Sequence, residues 1–292
     1  MDNLIKYKLF SLTAETGNIS KTAALSGYTQ SGVSHTLKRL EEEVELQLFV
    51  RDRYGVRLTP LGKEFLRYVN SLLAEEERLR QFIYDTKGVE YGSLTIGTYT
   101  SICTYWLPPM LNAFQFDHPS IQIKLREGGS QELETWLANR DVDMIFCSRQ
   151  PESNYEFCSL KKDILMAVLP KDYQHTGTTF PLEKFQTVPS ILPEADVDRD
   201  IYTVLHDHRI TPRIRFTAKE NHTIMAMVEN HLGISIVPSL ALTDASHDVR
   251  SLPIEPLFER DLGIGYLSQE SLSPIGKKFL WFTQEYFSSQ SE

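Results

Sequence analysis

The 292-residue chain has little cysteine, and the three it has are odd in number. Cys103, Cys147 and Cys158 show no metal-type spacing, which excludes a disulfide framework and points to a reducing compartment. No run approaches the roughly 18 apolar residues that would cross a membrane. The N-terminus, "MDNLIKYKLFSLT", carries scattered charge and no small-residue cleavage site, so no secretory signal is expected. The expectation is therefore a cytoplasmic protein without a membrane partner. Catalytic signatures are missing as well. There is no "GxSxG", and the nearest glycine-rich stretch, "REGGS", is not a phosphate loop. "HDH" at 206–208 places two histidines two apart in an expected helix, where they share no face for a metal. No catalytic residue, metal or cofactor is assigned, and the chain is not expected to be an enzyme. Positive charge is also short. Lys+Arg number 30 against Asp+Glu 39, a formal net charge of -9 that at first sight argues against nucleic acid.

That deficit is unevenly distributed. Residues 1–88 hold 13 bases and 12 acids, whereas 89–292 hold 17 and 27. The acidity belongs to the larger C-terminal part and says little about a small N-terminal module. Length suggests two or three domains, and a hydrophobic content of 41% suffices for a core in each.

Residues 4–16 carry Leu4, Tyr7, Leu9, Phe10 and Leu12 on a broad apolar face, which predicts a helix stopped by Gly17. Asn18 is a cap for a second short helix that ends at Gly27. Thr29 caps a third. In "TQSGVSHTLKRLEEE", Val33, Leu37, Leu40 and Val44 form one apolar stripe. Ser31, Ser34, His35 and Lys38 form a second face of short donors, suited to close approach to a groove. The acidic run Glu41–Glu43 lies at the C-terminal end, away from the half of a recognition helix that enters the major groove. "LQLFVRDRYGVRLTPLG" then reads as a hairpin wing that presents Arg51, Arg53 and Arg57.

Residues 15–66 resemble the N-terminal domain of LysR-type transcriptional regulators. The resemblance is carried by "TAALSGYTQSGVSHTLKRLEEEVELQLFVRDRYGVRLTPLG". Two positions depart from the family pattern: Glu45 stands where Gly is usual, and Asn18 where Ser is common. The resemblance implies that Gln30, Ser31, Ser34 and His35 face bases, and that Lys38 and Arg53 face phosphate or groove. Arg51 joins them as a wing residue.

Thr59-Pro60 begins a long helix. Its apolar positions Phe65, Val69, Leu72, Leu79 and Ile83 step by four and three, with Glu76 interrupting, and suggest a dimer seam. The resemblance favours that reading, since the family pairs its DNA-binding domains through this helix. Paired recognition helices imply double-stranded DNA with an interrupted inverted repeat. The expected assembly is a homodimer or homotetramer, with RNA polymerase as a further candidate partner.

From Leu94 onward strands and helices alternate in a βαβαβ pattern, then repeat, which predicts two α/β lobes with a cleft between them. This part resembles the LysR-type effector domain, a relative of periplasmic binding proteins, through residues 94–146 and "MVENHLGISIVPSLA". The expected architecture is thus α/β plus all-α. A winged helix-turn-helix (1–59) leads into a linker helix (60–88) and a two-lobed effector domain (89–292). Lobe I takes about 92–161 and 267–292, lobe II about 162–266. Ligands of such sheets sit beyond the carboxyl ends of the strands. That rule selects Thr98, Thr100, Ser101, Gly129, Ser130, Ser148, Arg149, Asp198 and Asn221, with His222 beside the last. Hydroxyls at helix N-termini suit a small organic acid or other oxyanion.

Two other readings compete. A solute-binding protein or enzyme on the same two-lobed fold has no need of a helix-turn-helix. A redox regulator would use Cys147 and Cys158, eleven apart, as a disulfide across the expected hinge.

Overall fold

The computed structural model describes residues 4–52, 55–87, 91–243 and 246–290. The chain forms two compact units, residues 1–88 with 139–141 and residues 89–138 with 142–292. In the first, α1 (Ile5–Thr16), α2 (Ile19–Ser26) and α3 (Gln30–Val44) pack around Leu9, Phe10, Ala23, Val33, Leu37 and Leu40. Their ends follow from local chemistry. The Asn18 side chain accepts from the Ser20 and Lys21 N–H groups at 2.9 and 3.1 Å, and Thr29 accepts from Gly32 at 3.1 Å. The wing is an antiparallel pair, β1 (Phe49–Asp52) with β2 (Gly55–Leu58). Val56 N–H donates to the Gly17 carbonyl at 2.9 Å, and a Cβ on Gly55 would lie 2.5 Å from that same oxygen. Only glycine allows the wing to close onto the end of α1 there. Arg53 lies outside the described residues.

The acidic end of α3 holds the module together. Glu41 Oε1 accepts from the Leu48 and Phe49 N–H groups at 2.7 and 3.0 Å, so it anchors the start of the wing. Glu42 is 3.6 Å from Lys38, and Glu43 pairs with Lys6 on α1. None of the three is left as bare charge.

The long helix α4 (Pro60–Asp85) presents different faces along its length. This corrects the expected seam. Phe65 stacks edge-on against Phe10 at 5.3 Å, and Val69 is buried in the same helical core, so neither is available to a partner. The apolar positions left exposed are Leu61, Tyr68, Leu72, Leu79 and Phe82, with Ile83 partly covered. Glu76, which broke the stripe, is 2.9 Å from Lys8 on α1 and also pairs with Arg80. Burial pushes its carboxyl up, but hydrogen bonds from Lys8 and Arg80 outweigh that and hold it below the usual range.

The second unit has two lobes. In lobe I, β3 (Gly92–Thr98), β4 (Ile121–Glu127) and β5 (Met144–Ser148) are parallel. Helices α5 (Thr100–Tyr105), α6 (Leu107–Asp117), α7 (Ser130–Ala138) and the last helix, α10 (Pro274–Ser289), accompany them. Lobe II holds β7 (Phe180–Pro181), β8 (Ser190–Pro193), β9 (Ile214–Ala218), β10 (Ser235–Pro238) and β11 (Val249–Glu255), with α8 (Arg199–Asp207) and α9 (Asn221–Glu229). One strand belongs to both. β6 (Glu156–Pro170) pairs through its first half with β12 (Glu259–Tyr266) and through its second half with β10 and β11. β12 also pairs with β5 from Leu262 to Gly265, so the chain is back in the sheet of lobe I by Leu262 and does not wait until Leu267. The error has a simple cause: "LGIGY" alternates like any strand, and pattern alone does not say which sheet it joins.

Glu45 ends α3 with φ at 53, the left-handed position, its N–H donating to the Glu41 carbonyl. A side chain is costly there by about 1–2 kcal/mol relative to right-handed backbone. Glu45→Gly is therefore expected to stabilise the protein by about 0.5–1 kcal/mol, read as a later urea midpoint at unchanged slope. An earlier midpoint would show that the glutamate side chain compensates for its backbone.

Candidate DNA-reading face and interlobe cavity

On α3, burial of Val33, Leu37 and Leu40 fixes the helix's rotation. The opposite face then carries Gln30, Ser31, His35 and Lys38 to solvent, with Ser34 half-covered. The first turn is exposed, and apart from the Gly32 N–H that Thr29 caps, its donors face solvent where an anion can approach. Ser34 is tied to the wing: its Oγ accepts from Arg51 Nη1 at 3.1 Å. The guanidinium thus sits beside the polar face of α3, where it adds positive charge that the net value of -9 conceals.

Between the lobes lies a cavity of about 590 Å³. Thr100 and Ser101 from α5, Gly129 before α7, and Asp198 and Asn221 from lobe II line it as expected, as does His222. The other candidates are placed elsewhere. Thr98 is buried, and its Oγ1 donates to the Tyr99 carbonyl at 3.1 Å. Arg149 is exposed over the ring of Phe157. Ser130 and Ser148 are buried in hydrogen bonds of their own. The Tyr99 hydroxyl is 2.9 Å from Ser130 Oγ and 3.3 Å from Ser148 Oγ, and Gln150 donates to Ser148 at 3.0 Å. These two serines hold the fold around the cavity and leave its surface to others. Strand-end reasoning located the right loops but not which side chain on each faces inward.

The lobes are clasped beside this cavity. Ser130 N–H donates to the Val197 carbonyl at 3.0 Å and Gln131 N–H to Asp196 at 3.2 Å. A Cβ on Gly129 would lie 2.6 Å from Val197 Cα, so glycine permits the approach. Arg199 of α8 donates to both carboxylate oxygens of Glu134 on α7, at 3.0 and 2.8 Å. Deeper in, Arg260 of β12 is 2 % exposed and contacts three carboxylates. Its Nε donates to Asp163 at 2.9 Å, and its Nη1 lies 3.4 and 3.3 Å from Asp198 and Asp200. Gln150 donates to Asp200 at 2.9 Å. Burial pushes Asp198 up to about 6 against the pull of Arg260, and Asp200 adds to the rise. Arg260 itself loses charge stability to burial, but Asp198, Asp200 and Asp163 more than restore it. Neither Asp163, Asp200 nor Arg260 was singled out from the sequence. They are brought together from β6, α8 and β12, and nothing in local spacing announces it.

The cysteine bridge that a redox regulator would use fails on geometry. Cys147 pairs with Gly263 and Cys158 with Ile264, on the two sides of β12. Two strand spacings, about 9.6 Å, separate their strands, which exceeds the reach of a disulfide. Both belong to lobe I, so they do not span the hinge. Burial also pushes the Cys147 thiol up to about 12, far from a reactive thiolate.

Comparison with known proteins agrees with this layout. Residues 4–63 match the family described as "Bacterial regulatory helix-turn-helix protein, lysR family", and residues 87–288 match "LysR substrate binding domain". The chain is similar to an uncharacterised HTH-type transcriptional regulator, YvbU, of Bacillus subtilis (strain 168), at 27% identity over 98% of this chain and 99% of that one. Its fold is similar to that of a full-length OxyR variant from Pseudomonas aeruginosa, with a TM-score of 0.71 at 20% identity, covering 97% of both chains. The second unit is similar to the effector-binding domain of QuiR in complex with shikimate, with a TM-score of 0.61 at 22% identity over 68% of this chain and 99% of that one. Among the described residues no helix is long and apolar enough to cross a membrane. With a helix-turn-helix unit and a two-lobed substrate-binding unit both matched, the chain belongs to the LysR family of DNA-binding transcriptional regulators.

Proposed function

We propose that this regulator reads an interrupted inverted repeat through two copies of α3, and that a small molecule in the interlobe cavity biases how those copies are presented. Gln30, Ser31, Ser34 and His35 are the base-facing set. Lys38, Arg51 and Arg53 supply phosphate contacts. The observation that carries this reading is the short, exposed donor face of α3, backed by the Arg51–Ser34 hydrogen bond. Long side chains would hold the helix off the groove, whereas serines allow close approach.

Two copies are proposed to pair through Leu61, Tyr68, Leu72, Leu79 and Phe82, the apolar positions of α4 left exposed. They are spaced by seven, four, seven and three, the rhythm of a coiled-coil seam. Effector control requires that the ligand bind one lobe arrangement better than the other. Thr100, Ser101, Gly129, Asp198 and Asn221 are the proposed contacts. A regulator with this task acts in the cytoplasm and needs no catalysis of its own.

Two experiments test the reading. In the first, an operator is selected from a random-sequence DNA library and affinities are read by fluorescence anisotropy at several salt concentrations. Gln30→Ala is expected to lose about 1–3 kcal/mol of discrimination between the operator and a base-substituted site. Lys38→Ala should weaken binding alike on all sequences and reduce the salt slope by about 1. An equal loss on every sequence for Gln30→Ala would remove it from the bases. In the second, Leu72→Asp with Leu79→Asp should shift the mass measured by light scattering toward the monomer. Phe65→Ala should instead leave pairing intact and destabilise the winged-helix unit by about 3 kcal/mol. An unchanged mass for the double variant would rule this face out.

A further inference from the structure

The charges around the cavity bear on what it holds. Glu127, Glu132, Asp198 and Glu220 line it, against Lys219 and Arg260. Arg260 is already committed to Asp163, Asp198 and Asp200, so it is surrounded by more negative charge than it carries. Lys219 is exposed and lies 3.8 Å from Glu194. Among the described residues of the wall, no cation is both buried and uncommitted.

Helix N-termini at the cleft would ordinarily offer seats to an anion, at about half a charge each. At α7 and α8 the chain's own carboxylates occupy them. Asp198 accepts from the Asp200 and Ile201 N–H groups at 3.2 and 3.4 Å and so caps α8. Glu132 Oε2 accepts from Gly129 N–H at 3.3 Å, at the start of α7. Glu220 is the N-cap residue of α9; its side chain makes no cap hydrogen bond there but lines the cavity. A carboxylate ligand would find the N-terminal donors of α7 and α8 taken, and a wall on which carboxylates outnumber cations.

A second feature points the same way. His222 ends a hydrogen-bonded chain that leads away from the cavity. Glu229 Oε2 is 3.0 Å from His247 Nδ1, and His247 Nε2 is 2.9 Å from His222 Nδ1. Glu229 is an ionised acceptor, held below the usual carboxylate range by the His247 hydrogen bond. It therefore places a proton on His247 Nδ1. With both rings neutral, His247 Nε2 accepts from His222 Nδ1–H and His222 Nε2 is a lone-pair acceptor. In that tautomer a cavity-lining residue can receive a hydrogen bond.

We propose that the effector carries a protonated amine or amidine, which Glu127, Glu132 and Glu220 attract and to which His222 Nε2 offers an acceptor. The ligand class is thus a small organic cation, not the organic acid that strand-end hydroxyls alone suggest. The inference rests on the cavity being the effector site.

The test is a four-carbon charge series on the full chain at constant ionic strength: putrescine, 1,4-butanediol and succinate, with agmatine as the amidine. Binding is read by thermal shift and isothermal calorimetry. Putrescine or agmatine is expected to raise Tm with concentration, and the diol and succinate to leave it unchanged. Glu132→Gln keeps an oxygen for Gly129 N–H and so preserves the fold. It should weaken the cation's apparent affinity by about tenfold, as should His222→Phe. Binding of succinate in preference to the amines overturns the assigned charge and keeps the cavity as a ligand site. A cation response equal in wild type, Glu132→Gln and His222→Phe places the cation elsewhere and overturns the proposal. No response to either amine overturns it too, while operator binding, measured without effector, stands or falls separately.

Discussion

Arg260 is 2 % exposed among three aspartates, and the lobe arrangement depends on that contact. Asp163 sits where β6 passes from one lobe to the other, Asp198 and Asp200 open α8 in lobe II, and Arg260 comes from β12 in lobe I. A buried guanidinium requires partners, and buried carboxylates require a cation. Arg260 is held by its strand partner Asp163 and reaches from there to the two aspartates that open α8. The match is unequal, because one positive charge serves three acids. Excess negative charge adds to the burial that raises Asp198, and it extends to the cavity wall, where further carboxylates stand.

The winged-helix unit solves a similar problem with a different result. Glu41, Glu42 and Glu43 in "TQSGVSHTLKRLEEE" look like a liability in a DNA-binding helix. Glu41 accepts from two backbone N–H groups at the entry to the wing, Glu42 lies near Lys38, and Glu43 pairs with Lys6. The acids are turned inward on their own module, and the bases and hydroxyls of α3 and β1 remain outside. Local pairing, and not net charge, determines what a nucleic acid meets.

Much of this was legible in the sequence, for physical reasons. Gly17, Gly27, Asn18 and Thr29 act on their immediate neighbours, so the helix ends they set are readable from a few residues. The same holds for the alternation of strands and helices after Leu94. What was not legible depends on partners far away in the chain. Phe65 and Val69 share the step of four with a coiled-coil seam, but Phe10 claims one and the helical core the other. Periodicity identifies an apolar face without saying which neighbour covers it. Ser130 and Ser148 stand at strand ends like Thr100 and Ser101, yet Tyr99 and Gln150 draw them into the wall. Glu45 is the converse case: a residue that departs from the usual glycine keeps glycine's backbone angle, so the turn survives the substitution.

The unequal match at Arg260 also gives the lobes a reason to respond to a ligand. Opening the cleft would expose Asp198 and Asp200 to water and relieve the crowding of negative charge. Closing it gains the contacts of Gly129 and Ser130 with Val197 and the Arg199–Glu134 pair, but restores that crowding. On the proposed reading, a ligand that brings positive charge would offset the crowding most in the arrangement that brings the carboxylates of both lobes nearest to it. Its affinity for the two arrangements must then differ, which is the condition for shifting their populations. A neutral ligand of the same size would fill the cavity without that difference in electrostatic energy. The charge of the effector, more than its shape, would then set the strength of the coupling.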